Sequence, residues 1–74
     1  MDIYPNPAKD FINITGDLEG VNAIKIYDST GKLVEQLVHP LGNSISTAHL
    51  SSGFYAVSFL TDKGVVLKKL LLTH

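Results

Sequence analysis

Imidazoles and carboxylates are the side chains here best able to hold a metal or move a proton, and their spacing favours neither role. His39, His49 and His74 are the only imidazoles. None stands in a spaced ligand set of the kind a strand or helix metal site needs. Solvated loop or terminal positions explain all three. Among the seven acids, Asp10, Asp17, Glu19, Asp28 and Asp62 fall in loop-like stretches. Two carboxylates across a cleft could hydrolyse a glycoside. Yet a chain of 74 residues leaves little room for a pocket of about 300 Å³. Asp28 and Asp62 already have a structural task, because a carboxylate in a turn caps the turn's own amides. The expectation is no catalytic residue, no cofactor and no metal ligand, hence no enzyme.

Other motifs are similarly modest. Asn13-Ile14-Thr15 matches a glycosylation sequon but sits in strand-like sequence, so it reads as chance. Lys68-Lys69 is too short for a polybasic patch. It could contact an anion, or it could guard an edge strand against pairing.

The elements that must position these residues are β in character. Pro5 and Pro7 push Tyr4 and Asn6 into extended geometry, giving a short edge piece at Ile3-Tyr4 and a bend over 6–9. Phe11 to Thr15 alternates, with Ile12 and Ile14 on one face. A glycine-bracketed loop covers 16–20. Ala23 to Tyr27 alternates again, Ile24 and Ile26 opposite Lys25 and Tyr27. Asp28-Ser29-Thr30-Gly31 reads as a type I turn closed by a left-handed glycine, returning into Lys32 to Val38. Pro40 breaks that strand. Asn43 to Thr47 carries Ile45, and Leu50 to Gly53 leads into Phe54 to Leu60, where Tyr55, Val57 and Phe59 share a face. Thr61 to Gly64 repeats the hairpin-turn logic before a last strand over 65–72, whose apolar residues on both faces imply burial on both sides or a covering partner. Helix competes for 28–38 and 65–72, since Leu33/Leu37 and Val34/Val38 lie four apart. Both segments are short and abut glycine turns, so strand is preferred. Six or seven short strands with regular turns predict an all-β, Ig-like antiparallel β-sandwich.

Composition sets the class. A chain this short buries only roughly 60% of its unfolded surface, so its aliphatic core carries the stability alone. It has no cysteine for a disulfide or thiolate site, and six lysines against seven acids give a net charge of −1. That balance leaves no footprint for nucleic acid. No stretch approaches the roughly 20 apolar residues of a membrane span. The first residues form no signal peptide, and Met1 directly before strand-like sequence suggests a starting methionine on an excised fragment.

Four of these marks recur in a known order. Tyr4-Pro5-Asn6-Pro7-Ala8, then Ile24-Lys25-Ile26-Tyr27-Asp28 with Gly31-Lys32-Leu33-Val34, then Leu50 with Gly53-Phe54-Tyr55, then Lys69-Leu70-Leu71. In that order the chain resembles the type IX secretion system C-terminal sorting domain (type A; the Por secretion C-terminal sorting domain family), from Tyr4 to Leu72. The resemblance implies a seven-stranded Ig-like sandwich that acts as an address. It implies an outer-membrane secretion translocon that reads the domain in the periplasm, and a sortase-like cysteine peptidase that removes it and attaches the parent protein to the cell surface. It marks Pro5, Asn6, Pro7, Asp28, Gly31, Gly53, Tyr55 and Lys69 as signature residues. Most of these are fold-keepers by type, and Tyr55 should pack with a tethered hydroxyl. The final strand with Lys68 and Lys69 is the expected recognition surface. The whole chain, 1–74, is expected to be one sorting domain at the end of a larger exported protein.

Two other readings stay open beside it. A small Ig-like binding or adhesion module, taking carbohydrate or protein, would show an aromatic platform built from Tyr4, Phe11, Tyr27, Phe54 and Phe59. A homodimer through an edge strand is compatible with either role. Neither direct membrane insertion nor a nucleic-acid partner is expected.

Overall fold

β-branched and aromatic residues in alternation, punctuated by glycine and proline, favour strands over helices. The computed structural model describes residues 2–16, 18–40 and 42–73. Its elements are seven strands: β1 (Asp2–Tyr4), β2 (Phe11–Thr15), β3 (Val21–Asp28), β4 (Leu33–Val38), β5 (Ser44–Ser46), β6 (Gly53–Thr61) and β7 (Gly64–Leu72). No helix occurs among the described residues, so both segments where helix competed are strands. Their i, i+4 apolar pairs are by-products of hairpins set by the turns before them.

The strands form two antiparallel sheets, β1-β2-β5 and β4-β3-β6-β7. This is the all-β, Ig-like sandwich the turn spacing predicted. Register places alternate residues inward. The three-stranded sheet contributes Ile3, Ile12, Ile14 and Ile45, and the four-stranded sheet contributes Ile24, Ile26, Val57, Phe59, Leu70 and Leu72. Ala8 and Leu50 close the core from the connecting segments. Among its few polar members, Thr47 is fully buried. Its hydroxyl donates to the Lys9 carbonyl at 3.1 Å, and its N–H donates to the Asp10 carbonyl at 2.8 Å. A buried hydroxyl without such a partner would be costly.

Two expectations need correction. β7 is not buried along its length. Leu70 and Leu72 are enclosed, but Val65 and Leu67 are 62% and 66% exposed. Strands of three to five residues in one sheet cannot cover nine-residue strands in the other, and nothing described lies on the outer face of the larger sheet. The β6–β7 turn also departs from the first hairpin. It is a two-residue connection in which Thr61 does the capping, its hydroxyl donating to the Gly64 carbonyl at 2.8 Å and accepting from the Lys63 N–H. Asp62 turns away and accepts from the Asn22 side-chain amide at 2.9 Å, tying the start of β3 to the turn.

Candidate recognition surface

Asn6 is joined to the last strand. Its side-chain N–H donates to the Lys69 carbonyl at 3.0 Å, and its Oδ1 accepts from the Leu71 N–H at 3.1 Å. The amide therefore bonds as a strand residue opposite Leu70 would. Ala8 continues the pairing in the backbone: its N–H donates to the Leu71 carbonyl and its carbonyl accepts from the Thr73 N–H, both at 2.8 Å. Ala8 is buried and pairs parallel with Leu72. Pro5 and Pro7 flank the amide through cis peptide bonds and are exposed. The segment thus supplies a fifth, partial strand along one half of the β7 edge. An edge carbonyl and N–H that would otherwise face solvent find partners.

The β3–β4 turn is built on one carboxylate. Asp28 Oδ1 accepts from the Thr30 N–H at 2.9 Å, the Thr30 hydroxyl at 2.6 Å and the Lys32 N–H at 3.0 Å. The Asp28 and Lys32 backbones pair, and the Gly31 N–H donates back to the Asp28 carbonyl. Gly31 has φ of 87°, where a side chain is disfavoured although a Cβ would touch nothing. The Thr30 hydroxyl, the Lys32 N–H, the Thr30 N–H and the Lys32 charge hold the Asp28 carboxyl below its ordinary range, against a weaker opposing effect of burial.

Tyr55 anchors the entry to β6. Its ring is buried, and its hydroxyl donates to the Ser51 carbonyl at 2.6 Å. That arrangement is the corner tyrosine of Ig-like sandwiches, holding the crossing between sheets. Gly53, two residues earlier, has φ of 148°.

Register brings these segments side by side. Asp28 stands opposite Tyr55, which stands opposite Leu70; Tyr27, Ala56 and Lys69 form the next row. Asp28, Ser29, Phe54, Tyr55, Ala56 and Lys69 line an open depression of about 410 Å³. Asn6 holds the carbonyl of Lys69 beside it. Asn6, Asp28, Tyr55 and Lys69, dispersed over 64 positions of sequence, thus meet at one end of the larger sheet. Gly31 and Gly53 shape the turn and strand entry there. Lys68 points to the opposite face, partly enclosed.

A second open groove, of about 650 Å³, lies at the other end, where Gly20, Val21, Thr61, Asp62 and Val66 meet. The expectation of little room for a pocket of about 300 Å³ therefore needs correction, because a short second sheet leaves open grooves at the ends of long strands. Among the described residues no three of His, Asp and Glu gather as a metal site. His39 and His49 are exposed, and His49 Nε2 lies 2.8 Å from Glu35 Oε2. His74 and Asp17 fall outside the described residues. The five aromatics form no single platform. Phe59 is buried, Tyr4 and Phe11 lie on the outer face of the smaller sheet, and Tyr27 and Phe54 on that of the larger.

Sequence reasoning missed the Asn6–Lys69 clasp, the Thr47 anchor and the Asn22–Asp62 tie. Each joins residues 38 or more apart. The order of the motifs was the only signal pointing at the first.

Fold and surface together define a small Ig-like module whose distinctive residues gather at one end of a sheet. A family model described as the secretion system C-terminal sorting domain matches residues 2–73. No curated protein matches the chain. The chain belongs to the type IX secretion C-terminal sorting domain family. Members are C-terminal signals for export across the outer membrane toward the surface or exterior, acting through the type IX machinery.

Proposed function

We propose that residues 1–74 form one address domain at the end of a larger exported protein, itself without catalytic activity. The outer-membrane translocon reads it from the periplasm. A sortase-like cysteine peptidase then removes it and attaches the parent to the cell surface. The family match over residues 2–73 carries this reading. The gathering of Asn6, Asp28, Tyr55 and Lys69 at one end supports it, since a recognition signal needs its residues in one place.

The test is a reporter with a periplasmic signal peptide fused to this chain in a type IX-competent host. Reporter on the surface or in the medium, lost on deleting the chain or the translocon, is expected. Loss of the peptidase should leave the chain attached. Reporter held in the periplasm of a competent host would overturn the proposal, and removal of the chain without the peptidase would overturn its last step.

A further inference from the structure

We infer that the uncovered half of the β7 edge is a strand-addition site, taking an extended segment of an export-machinery protein that is apolar along its length and acidic at one end. The inference rests on the address reading and names the surface by which the domain is read.

Leu71 and Thr73 direct their N–H groups, and Lys69 its carbonyl, to Asn6 and Ala8. Backbone directions alternate along a strand, so the N–H and carbonyl of Val65 and Leu67, and the N–H of Lys69, point out of the same edge. Register with β6 is unbroken from Gly64 to Leu72, which preserves that alternation. No described residue bonds to these groups. The partial strand led by Asn6 stops at Lys69, leaving Val65 to Lys69 open. Five residues match the common length of a strand.

Side chains then select the occupant. Val65, Leu67 and Lys69 project from the outer face and Val66 and Lys68 from the inner, so on each face apolar residues give way to a lysine. An added strand would lay apolar side chains beside Val65, Val66 and Leu67. Carboxylates at its end would stand across from Lys68 and Lys69, where opposite charges stabilise a cross-strand pair. A second copy fits less well. Antiparallel pairing about Leu67 would set Lys69 against Val65, and a five-residue overlap falls short of the roughly 1,200 Å² of a stable interface. A lipid surface fits worse, because the unpaired backbone groups would find no partner in hydrocarbon.

The experiment uses the same reporter fusion, with folding of each tail followed by thermal melting. Leu67→Lys and Val65→Lys place a charge at exposed positions without touching the core. Leu67→Pro removes an outward-facing donor, which an edge strand tolerates. Lys68→Glu with Lys69→Glu reverses the charge. Each folded variant should lower exported reporter roughly fivefold or more, the effect of losing one ladder bond or charge pair. Gln36→Lys and Val38→Lys, on the β4 edge of the same sheet and outside the motifs, should export normally. Normal export by folded Leu67→Lys and Leu67→Pro tails would overturn the inference. So would an equal loss in the β4 controls, a wild-type dimer that Leu67→Lys makes monomeric, or binding of the wild-type chain to anionic lipid vesicles. Failure of the wild-type fusion itself would instead overturn the address reading.

Discussion

Asn6→Ala tests whether the two ends of the domain are held by one side chain. The substitution removes two hydrogen bonds, to the Lys69 carbonyl at 3.0 Å and from the Leu71 N–H at 3.1 Å. Each neutral bond contributes about 1 kcal/mol net. Both lie at an exposed edge, so water replaces part of the loss, and the expected cost is about 1–2 kcal/mol. For a domain of this size, that lowers Tm by roughly 5–15 °C. Hydrogen exchange localises the effect. The Leu71 amide should lose protection, whereas the Thr73 amide, bonded to Ala8, should keep most of its own. Asn6→Asp sharpens the test. A carboxylate still accepts from Leu71 but cannot donate to Lys69, so at neutral pH it should melt at or below the alanine variant. Protonation below about pH 4 returns a donor, and the gap to wild type should then narrow. An Asn6→Ala tail that melts like wild type, with Leu71 protection unchanged, would refute the clasp as a structural tie.

Two further outcomes follow from the turn and the corner. Asp28 has a folded pKa below its ordinary value of 3.8, so its stabilisation is present above that value and lost as pH falls through the folded one. Wild type should therefore exceed Asp28→Asn in Tm at neutral pH by a margin that closes below about pH 4, while a margin independent of pH would show that the charge is not what holds the turn. Tyr55→Phe removes the 2.6 Å bond to the Ser51 carbonyl and leaves the buried ring in place. It should cost about 1 kcal/mol in denaturant melts with an unchanged m-value, and a neutral result would make the hydroxyl incidental to the corner.

Local chemistry was legible wherever the causes are local. Asp28 to Gly31 had to be a hairpin turn because one carboxylate reaches the amides two and four residues on, and because glycine alone is at ease with φ of 87°. Ile12, Ile14, Ile24 and Ile26 had to face inward because strand alternation leaves no other way to bury them. Thr61 and Asp62 show the limit. Both can cap a turn, and the choice between them was made by Asn22, 40 residues from Asp62. β7 shows it again: Val66 and Leu70 are both apolar and share the inner face, and the extent of the opposing sheet decides that one is exposed and the other enclosed. Asn6 is the instructive case. Between two prolines it reads as a bend residue, and nothing within ten positions gives its amide a partner. Its partners, Lys69 and Leu71, lie in the other motif at the far end of the chain. A motif pair 63 residues apart thus encodes one contact, which is why the order of the motifs carried more of the function than any motif did alone. The same contact sets where the last strand is covered and where it is left free, so the residue that closes the fold also bounds the surface it offers.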